Sequence, residues 1–335
     1  YLFDSQIERF DCAILNPPYH KIGSDSQTRR QIATIGIETS NLYTAFLAVT
    51  IRLLEPGGEL VAITPRSFCN GSYFAPFRKD FLGTMALHRI HVFESRKRAF
   101  SEDAVLQENV IVHSIKEQNT GNPVMISSSA GPDDDHFTVR ELEPEQIVRP
   151  GDKDFFIHIV PDELGHRVAE RMRGFSSTLA DLNVAVSTGR VVDFRARPLL
   201  RAKPSKNTVP LIYPTHFHEG TVRWPKLGSK KPNALLAGPA ADDLLVPSGV
   251  YVLVKRFSSK EERRRVVAAV LDPLRVRAPR IGFENHLNYF HRDGHGLPRK
   301  LAKGLAAFLN STLVDSFFRQ FNGHTQVNAT DLRSL

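Results

Sequence analysis

The sequence of 335 residues predicts an α/β fold, in which a doubly wound sheet in the first half is followed by a separate mixed α+β domain. Short apolar runs alternate with helix-like segments between residues 10 and 115, and this alternation is typical of layered α/β sheets. A stretch rich in Gly, Asn, Pro, Ser and Asp follows at residues 119–135. A chain of this length also corresponds to roughly two domains of about 150 residues each.

The elements of the first half are predicted in chain order. The apolar run Phe10–Leu15 ends at two prolines, which cannot extend a β-ladder, so it predicts a buried strand followed by a rigid loop. Apolar residues at helical spacing predict a helix from Leu42 to Leu54, after Asn41 and before Pro56-Gly57-Gly58. The pattern further predicts a helix at residues 73–82 and strands at residues 60–63, 87–93 and 109–115.

The second half has shorter apolar runs separated by Pro- and Gly-rich loops. We predict a first domain at residues 1–118, a linker with little to bury at 119–150, and a second domain at 151–335. Within the second domain, the pattern predicts helices at residues 162–173, 299–309 and 311–321 and strands at residues 211–213, 250–257 and 266–271. Gly294-His295-Gly296 follows no clear strand, so it predicts a turn and not a phosphate-binding loop.

Positive charge is concentrated in the second half. The net charge of the chain is +8, and Arg190–Lys300 alone contains 22 Lys or Arg against 9 Asp or Glu. Such a surplus predicts a face that binds a polyanion such as nucleic acid, with an ordinary solvated surface as the alternative. Two cysteines cannot build a disulfide framework, and no apolar run approaches the roughly 18 residues of a membrane span, so we expect a cytoplasmic protein without a membrane partner.

The motif that carries chemistry is Asn16-Pro17-Pro18-Tyr19, at the carboxyl end of the first predicted strand. Open α/β sheets place their ligands at such ends. An exocyclic aromatic amine is a weak nucleophile, because its lone pair is delocalised into the ring. The Asn16 side-chain oxygen and the Pro17 carbonyl can accept its two hydrogens, and two prolines keep this pair preorganised. Tyr19 offers a ring face for stacking on a base that has left its duplex. A proline turn that merely ends a strand is the alternative.

This tetrapeptide resembles motif IV of the N6-adenine DNA methyltransferases. Residues 41–46 and 54–78 look like the helix and strand that follow motif IV in the γ class, and residues 93–111 are similar to the motif VIII region. In the second half, residues 187–190, 285–289 and 310–328 are similar to target-recognition regions of restriction-modification enzymes. The resemblance implies the C-terminal part of a Rossmann-like methyltransferase sheet, followed by a mixed α+β target-recognition domain.

The resemblance also implies an activity, which is site-specific methylation of adenine N6 by a base-flipping enzyme that uses S-adenosylmethionine. Phe100 in the motif VIII region is implied to stack on the other face of the flipped adenine, with Phe93 as the fallback. The γ class carries a glycine-rich motif I before motif IV, and none precedes Asn16. We therefore expect a larger methyltransferase, of which this chain alone is inactive and binds S-adenosylmethionine weakly. A cognate restriction endonuclease activity is expected upstream or in another chain.

The expected partner of the second half is double-stranded DNA. Lys255 and Arg256 are expected to contact phosphates. Polar loop residues are candidates for contacts with base edges, because Arg suits guanine and Asn or Gln suits adenine in the major groove. These candidates are Arg190, Asn285, Asn288, His324, Gln326 and Asn328. Capping of turns is the alternative role for several of them. The histidine groups lack a cysteine and a zinc-like spacing, so no metal site is predicted.

Two other functions are compatible with the motif. One is a non-catalytic DNA-binding or specificity module. The other is a methyltransferase that acts on RNA or on protein glutamine, because an amide nitrogen presents the same chemical problem as a ring amine. About 200 basic, separately folded residues follow the motif region, and they favour a DNA target.

Overall fold

A computed structural model of the protein describes residues 8–93, 108–117, 121–131, 134, 136–160, 162–259, 261–322 and 325–335. The chain forms two compact units. Unit 1 comprises Tyr1–Arg167 and Gln320–His324, and unit 2 comprises Val168–Arg319 and Thr325–Leu335. In the described part of the chain, no helix combines the length and the apolar character that crossing a bilayer requires.

Unit 1 is built on a mixed six-stranded sheet. Its strands are β1 (Phe10–Leu15), β2 (Leu54–Pro65), β3 (Ala86–Phe93), β4 (Asn109–Ile115), β5 (Val124–Ser129) and β6 (Phe137–Leu142). Their order is β1-β2-β4-β3-β5-β6. β1 is parallel to β2 and β3 is parallel to β5, whereas the remaining neighbours are antiparallel. The positions of the four strands predicted in the first half are confirmed, with β2 longer than predicted. β1 is not the buried strand that its apolar run predicted, because it lies at the edge of the described sheet and its residues are exposed or only partly buried.

The helices of this region are α1 (Gln27–Thr34), α2 (Leu42–Leu53), α3 (Ala75–Thr84) and α4 (Pro144–Ile147). Tyr43, Leu47 and Ile51 recur every four residues along α2 and are all buried. They belong to one core cluster together with Phe77 and Phe81 of α3. The apolar spacing read from the sequence therefore corresponds to the face that α2 turns towards the core.

The prediction of a linker at residues 119–150 is wrong, because this stretch contains β5, β6 and α4. Ser127 and Ser129 of β5 are buried, and their hydroxyls lie 2.9 and 3.1 Å from the two ring nitrogens of His91. Ser128 is hydrogen-bonded to Thr138 of β6 at 2.8 Å. Because hydrogen-bonded hydroxyls can be buried at little cost, a serine-rich segment forms an interior strand here.

The prediction that the second domain starts at residue 151 is also wrong, because the residues that follow pack in unit 1. Ile157 and Ile159 belong to the core cluster of unit 1, and the Phe156 ring stacks on Phe321 with centroids 5.6 Å apart. This unit therefore extends to Arg167 and takes in a short segment near the end of the chain.

Unit 2 contains two sheets. The strands of the first are β7 (Ala185–Thr188), β10 (Phe217–His218), β11 (Thr221–Val222), β14 (Tyr251–Lys255), β15 (Ala268–Leu271) and β17 (Leu287–His291). The strands of the second are β8 (Leu200–Arg201), β9 (Thr208–Ile212), β12 (Ala234–Leu236), β13 (Leu245–Pro247) and β16 (Arg280–Phe283). The orders are β10-β11-β15-β14-β17-β7 and β13-β16-β9-β12-β8. Each sheet contributes to a buried apolar cluster.

The remaining helices are α5 (Glu163–Arg173), α6 (Asp193–Ala196), α7 (Arg299–Leu309), α8 (Thr312–Phe321) and α9 (Ala329–Arg333). α5, α7 and α8 confirm the three helices predicted in the second half. The Gly294 turn is also confirmed, since Gly294 has a positive φ of 80° and Arg292 pairs with His295 across it.

One turn of unit 2 passes from the second sheet to the first. It lies between β16 and β17 and carries Glu284, Asn285 and His286. The segment after β7 runs close beside it, because the Gly189 N–H donates to the Leu287 carbonyl at 2.8 Å. A Cβ at Gly189 would lie well inside van der Waals contact with the Glu284 carbonyl oxygen, a backbone atom. This position therefore needs glycine for space.

We predict that Gly189→Ala lowers the free energy of unfolding by about 1–3 kcal/mol, because the added methyl group must displace backbone. The matched control is Gly304→Ala in α7, where a Cβ would meet nothing within 4 Å. There the same change removes the entropic cost of a helical glycine and raises stability by about 0.5–1 kcal/mol. Urea denaturation of both variants measures the two effects, and equal effects at the two positions would contradict the proposed close approach.

Candidate functional site

The loop Asn16–Tyr19 directly follows β1 and is held at both ends. On its upstream side, Leu15 pairs with Ala62 of β2. On its downstream side, the His20 carbonyl accepts the Leu42 N–H and the Ser40 carbonyl accepts the Ile22 N–H, both at 2.8 Å. Asn16 is exposed and Pro17 is buried. The loop thus presents the Asn16 amide at the carboxyl end of a parallel strand pair.

Tyr19 packs beside this amide. Its hydroxyl lies 3.4 Å from Asn16 Oδ1 and 3.4 Å from the Ile63 carbonyl oxygen. Burial raises the pKa of the Tyr19 hydroxyl, so it remains a proton donor at neutral pH. The ring meets Tyr43 edge-on, with centroids 6.1 Å apart. Tyr19 therefore lies between the Asn16 amide and the end of β2.

Residues outside the motif hold Tyr19 from behind. The Tyr43 hydroxyl is 2.9 Å from Ser67 Oγ, and its ring packs against Phe74 at 5.6 Å. The buried Arg78 guanidinium donates to the Phe68 and Gly71 carbonyls, each at 2.8 Å, which closes the loop after β2. No pattern in the sequence predicts Tyr43, Ser67 or Arg78 as site residues, because residues of these types on helices and loops are typical of core packing.

Two phenylalanines, Phe100 and Phe93, were predicted as candidates for stacking on the second face of a base. Phe100 lies outside the described residues. Phe93 is 8% exposed and packs edge-on against His91 with centroids 4.9 Å apart. Phe93 is thus occupied in the packing of β3.

The edge of the sheet beside Asn16 is open in the described part of the chain. No glycine-rich turn follows a described strand upstream of Asn16. In the described sheet, β1 has a neighbour on one side only, and its Ile14 is 85% exposed. Asn16 and Pro17 are the residues that would border S-adenosylmethionine. Among the described residues, no group of three or more His, Cys, Asp or Glu could hold a metal ion.

Several predicted DNA-contacting residues of unit 2 come together, although they are far apart in sequence. The Arg256 N–H donates to the His286 carbonyl at 2.8 Å, and the Arg256 carbonyl accepts the Val327 N–H at 2.7 Å. Phe257 forms an isolated bridge with Gln326. The Asn285 N–H donates to Val191, the neighbour of Arg190, at 2.8 Å. Arg190, Lys255, Arg256, Asn285 and Gln326 therefore lie around the turn between β16 and β17.

Other candidates have structural roles or cannot be placed. Asn288 is fully buried, its Oδ1 accepts the Thr188 hydroxyl at 3.0 Å, and its Nδ2 donates to the Val327 carbonyl at 2.7 Å. A base contact by Asn288 is therefore ruled out by this structure. Asn328 is the N-cap residue of α9, so the capping alternative holds there. His324 lies outside the described residues.

A cavity of about 320 Å³ lies beside the same turn. Its lining includes Lys255, and also His286, which belongs to the segment 285–289 that resembles a target-recognition region. Three further lining residues, Lys231, Phe257 and Glu284, were not among the predicted DNA contacts. The sequence offers little sign that Glu284 and His286 act together, because a glutamate followed two residues later by a histidine is not a recognised motif. Their proximity depends on the turn that joins the two sheets.

Comparison with known proteins identifies the relatives of this chain. Residues 2–100 match the Eco57I restriction-modification methylase family. The chain is 49% identical over 334 residues to the type II methyltransferase M.PstI of Providencia stuartii, covering 100% of this chain and 66% of that protein. It is also 49% identical over 330 residues to M.BsuBI of Bacillus subtilis, covering 98% and 65%. The chain is related to the restriction-modification methyltransferases. This confirms the predicted resemblance.

The fold is also shared with a solved restriction-modification enzyme. The type IIL enzyme MmeI, determined in complex with DNA, aligns with 95% of this chain and 45% of its own chain, at a TM-score of 0.55 and 12% identity. The predicted combination of a methyltransferase sheet and a further domain is confirmed. The chain spans slightly less than two thirds of the length of the two curated relatives.

We predict that Tyr19→Ala weakens binding of duplex DNA that carries the target base by about 1–3 kcal/mol, because a stacking face is lost. Tyr19→Phe keeps that face and should bind nearly as well as the wild type, since both hydroxyl contacts are 3.4 Å long and therefore weak. Fluorescence anisotropy of the intact protein with labelled duplex measures both. A large loss in Tyr19→Phe would show that the hydroxyl, and not the ring, carries the effect.

Proposed function

We propose that this chain acts in site-specific methylation of adenine N6 in double-stranded DNA, as part of a restriction-modification system. The observation that carries the proposal is the placement of the Asn16 amide oxygen beside Tyr19 at the end of β1. The relationship to M.PstI and M.BsuBI supports a DNA substrate, and the basic composition of Arg190–Lys300 supports the same partner. A cognate restriction endonuclease is the proposed functional partner, because the matched family is one of restriction-modification enzymes.

The chemical task of the loop is to make an aromatic amine nucleophilic. In the proposed complex, the flipped adenine donates one N6 hydrogen to Asn16 Oδ1 and the other to the Pro17 carbonyl. Two preorganised acceptors stabilise the positive charge that develops on N6 as its lone pair attacks. S-adenosylmethionine, when bound, would supply the methyl group. The proton that N6 then loses passes to water at the exposed Asn16, because neutral amide oxygens are too weak as bases to keep it.

The proposed role of Tyr19 follows from its packing. Its ring stacks on the flipped base, and its hydroxyl lies 3.4 Å from Asn16 Oδ1, a weak contact that leaves this oxygen available as an acceptor. An amide oxygen has two lone pairs, so Asn16 Oδ1 can accept from the Tyr19 hydroxyl and from the base amine together. The neutral acceptors of the loop suit a neutral amine, because no charge has to be desolvated when the base enters.

We predict that Asn16→Ala lowers the rate of methyl transfer about a hundredfold or more in the intact protein, because one acceptor for the developing charge is lost. DNA affinity should change much less, since the loop is a small part of the binding surface. Single-turnover transfer of a labelled methyl group, measured beside DNA affinity, separates the two effects. Asn207→Ala, an exposed asparagine of a turn in unit 2, is the control. Near-wild-type turnover in Asn16→Ala would make Asn16 a structural residue.

Phosphate contacts by unit 2 are the second part of the proposal. The Lys255 residue is partly exposed and has no ion pair within the described residues, so its charge is available for a phosphate. Arg256 has its guanidinium near the Phe257 ring and donates to the Asn285 carbonyl at 3.2 Å, which directs it along the same turn. Arg190, Asn285 and Gln326 remain the proposed contacts to base edges.

We predict that Lys255→Ala weakens binding of every duplex sequence to a similar degree and lowers the slope of log affinity against log salt by about one. The physical reason is that one fewer condensed counterion is released. Anisotropy titrations of the intact protein over a salt series measure the slope. Lys153→Ala, an exposed lysine of unit 1, should leave it unchanged. Binding that is insensitive to salt would favour a protein substrate over DNA.

A further inference from the structure

The cavity beside the turn between β16 and β17 is organised around a buried carboxylate. The Glu284 side chain is 1% exposed. Its Oε2 accepts the His286 backbone N–H at 3.0 Å, and its Oε1 is hydrogen-bonded to His286 Nδ1. Both carboxylate oxygens therefore act on the same residue, and together they set the orientation of the His286 ring.

His286 is the accessible half of this pair. Its side chain is 48% exposed, and the ring packs on Phe257 with centroids 4.9 Å apart. Nδ1 faces Glu284, whereas Nε2 has no hydrogen-bond partner within the described residues. A ring held from one side by a carboxylate and from another by an aromatic face presents one free nitrogen in a defined direction.

The wall of the cavity carries two lysine ammonium groups as donors, together with a second carboxylate, that of the exposed Glu262. Lys231 is held by Asp193 at 3.0 Å and lies over the Tyr213 ring, with its ammonium 5.2 Å from the centroid. Lys255 lines the same cavity without an ion pair in the described part of the chain. A ligand that fits beside the Lys231 ammonium and His286 has an edge with several acceptors.

The buried Glu284 charge distinguishes between two ligands of that kind. A phosphate placed in the cavity would be repelled by the carboxylate, and this repulsion is weakly screened because Glu284 is excluded from water. A guanine base is neutral, and its major-groove edge offers two acceptors, N7 and O6. The position beside His286 therefore favours a guanine edge over a phosphate, and the phosphate contact proposed above is assigned to Lys255 alone.

We propose that His286 is a specificity-determining residue that reads the N7/O6 edge of one guanine in the target duplex, with Glu284 as its positioning residue. This inference rests on the proposed function only in assuming that the target is duplex DNA. It assigns sequence selectivity to a pair of residues that lies within unit 2 alone.

The test is selection of random duplexes by the full-length protein, followed by sequencing of the bound fraction. His286→Ala is expected to lower the preference for guanine at one position of the selected site by about 5- to 150-fold while the other positions keep theirs. Glu284→Ala should relax the same position, and Glu284→Gln, which retains an acceptor for Nδ1–H, should restore most of it. The control is His218→Ala, which removes a surface histidine that contacts Glu219 at 3.5 Å.

A chemical substitution in the DNA makes the test independent of protein stability. Replacing that guanine by 7-deazaguanine removes the N7 acceptor. It should weaken binding by the wild type and by His218→Ala, but not by His286→Ala. Loss of affinity for all sequences alike, together with a smaller salt slope, would show a phosphate contact and overturn the proposal. Relaxation at an A·T pair, or no relaxation, would also overturn it.

Failure of the proposed function is seen separately. Mapping of methylated adenines with the wild type and with His218→Ala reports on methyl transfer and does not involve His286. Selective duplex binding without methylation would remove the proposed activity and leave the guanine contact standing. Absence of duplex binding by the wild type would overturn both.

Discussion

The candidate site depends on the constraint that two prolines impose directly after β1. Pro17 and Pro18 have no N–H to donate and a fixed φ, so the ladder with β2 cannot continue past Leu15. The chain therefore leaves the sheet at Asn16 and returns to it through Tyr19, whose hydroxyl lies 3.4 Å from the Ile63 carbonyl. Because Tyr19 packs beside the Asn16 amide, the contacts that hold the Tyr19 ring also define the space next to that amide.

The packing behind the loop is an extension of this constraint. Tyr19 meets Tyr43, Tyr43 meets Phe74, and the Tyr43 hydroxyl contacts Ser67. These contacts connect the loop to α2 and to the segment after β2, so a loop with little hydrogen bonding of its own gains rigidity from the core. The candidate site of unit 2 differs in its chemistry from the Asn16–Tyr19 loop. It is a turn between two sheets, and this turn carries the buried carboxylate of Glu284. The Asn16–Tyr19 loop suits a neutral amine, whereas the turn that carries Glu284 suits a base edge rich in hydrogen-bond acceptors.

Much of the fold was predictable from local pattern. Strands β1 to β4 and helices α2, α3, α5, α7 and α8 were indicated by apolar spacing and by proline or glycine stops. The linker prediction failed at β5, because Ser127 and Ser129 are polar by composition but buried through hydrogen bonds to His91, a residue about 36 positions away. Local amino-acid composition does not show that so distant a residue supplies the hydrogen bonds that allow these serines to be buried.

The sequence by itself determined the Asn16–Tyr19 loop, since its rigidity comes from covalent proline geometry and its place from a strand that ends there. It did not determine which polar residues of the second half are accessible. Asn288 and His286 lie two positions apart in one polar stretch, yet Asn288 is buried in a strand and His286 is half-exposed on the turn before it. Only the tertiary structure decided between them, because burial depends on which sheet covers a given side chain.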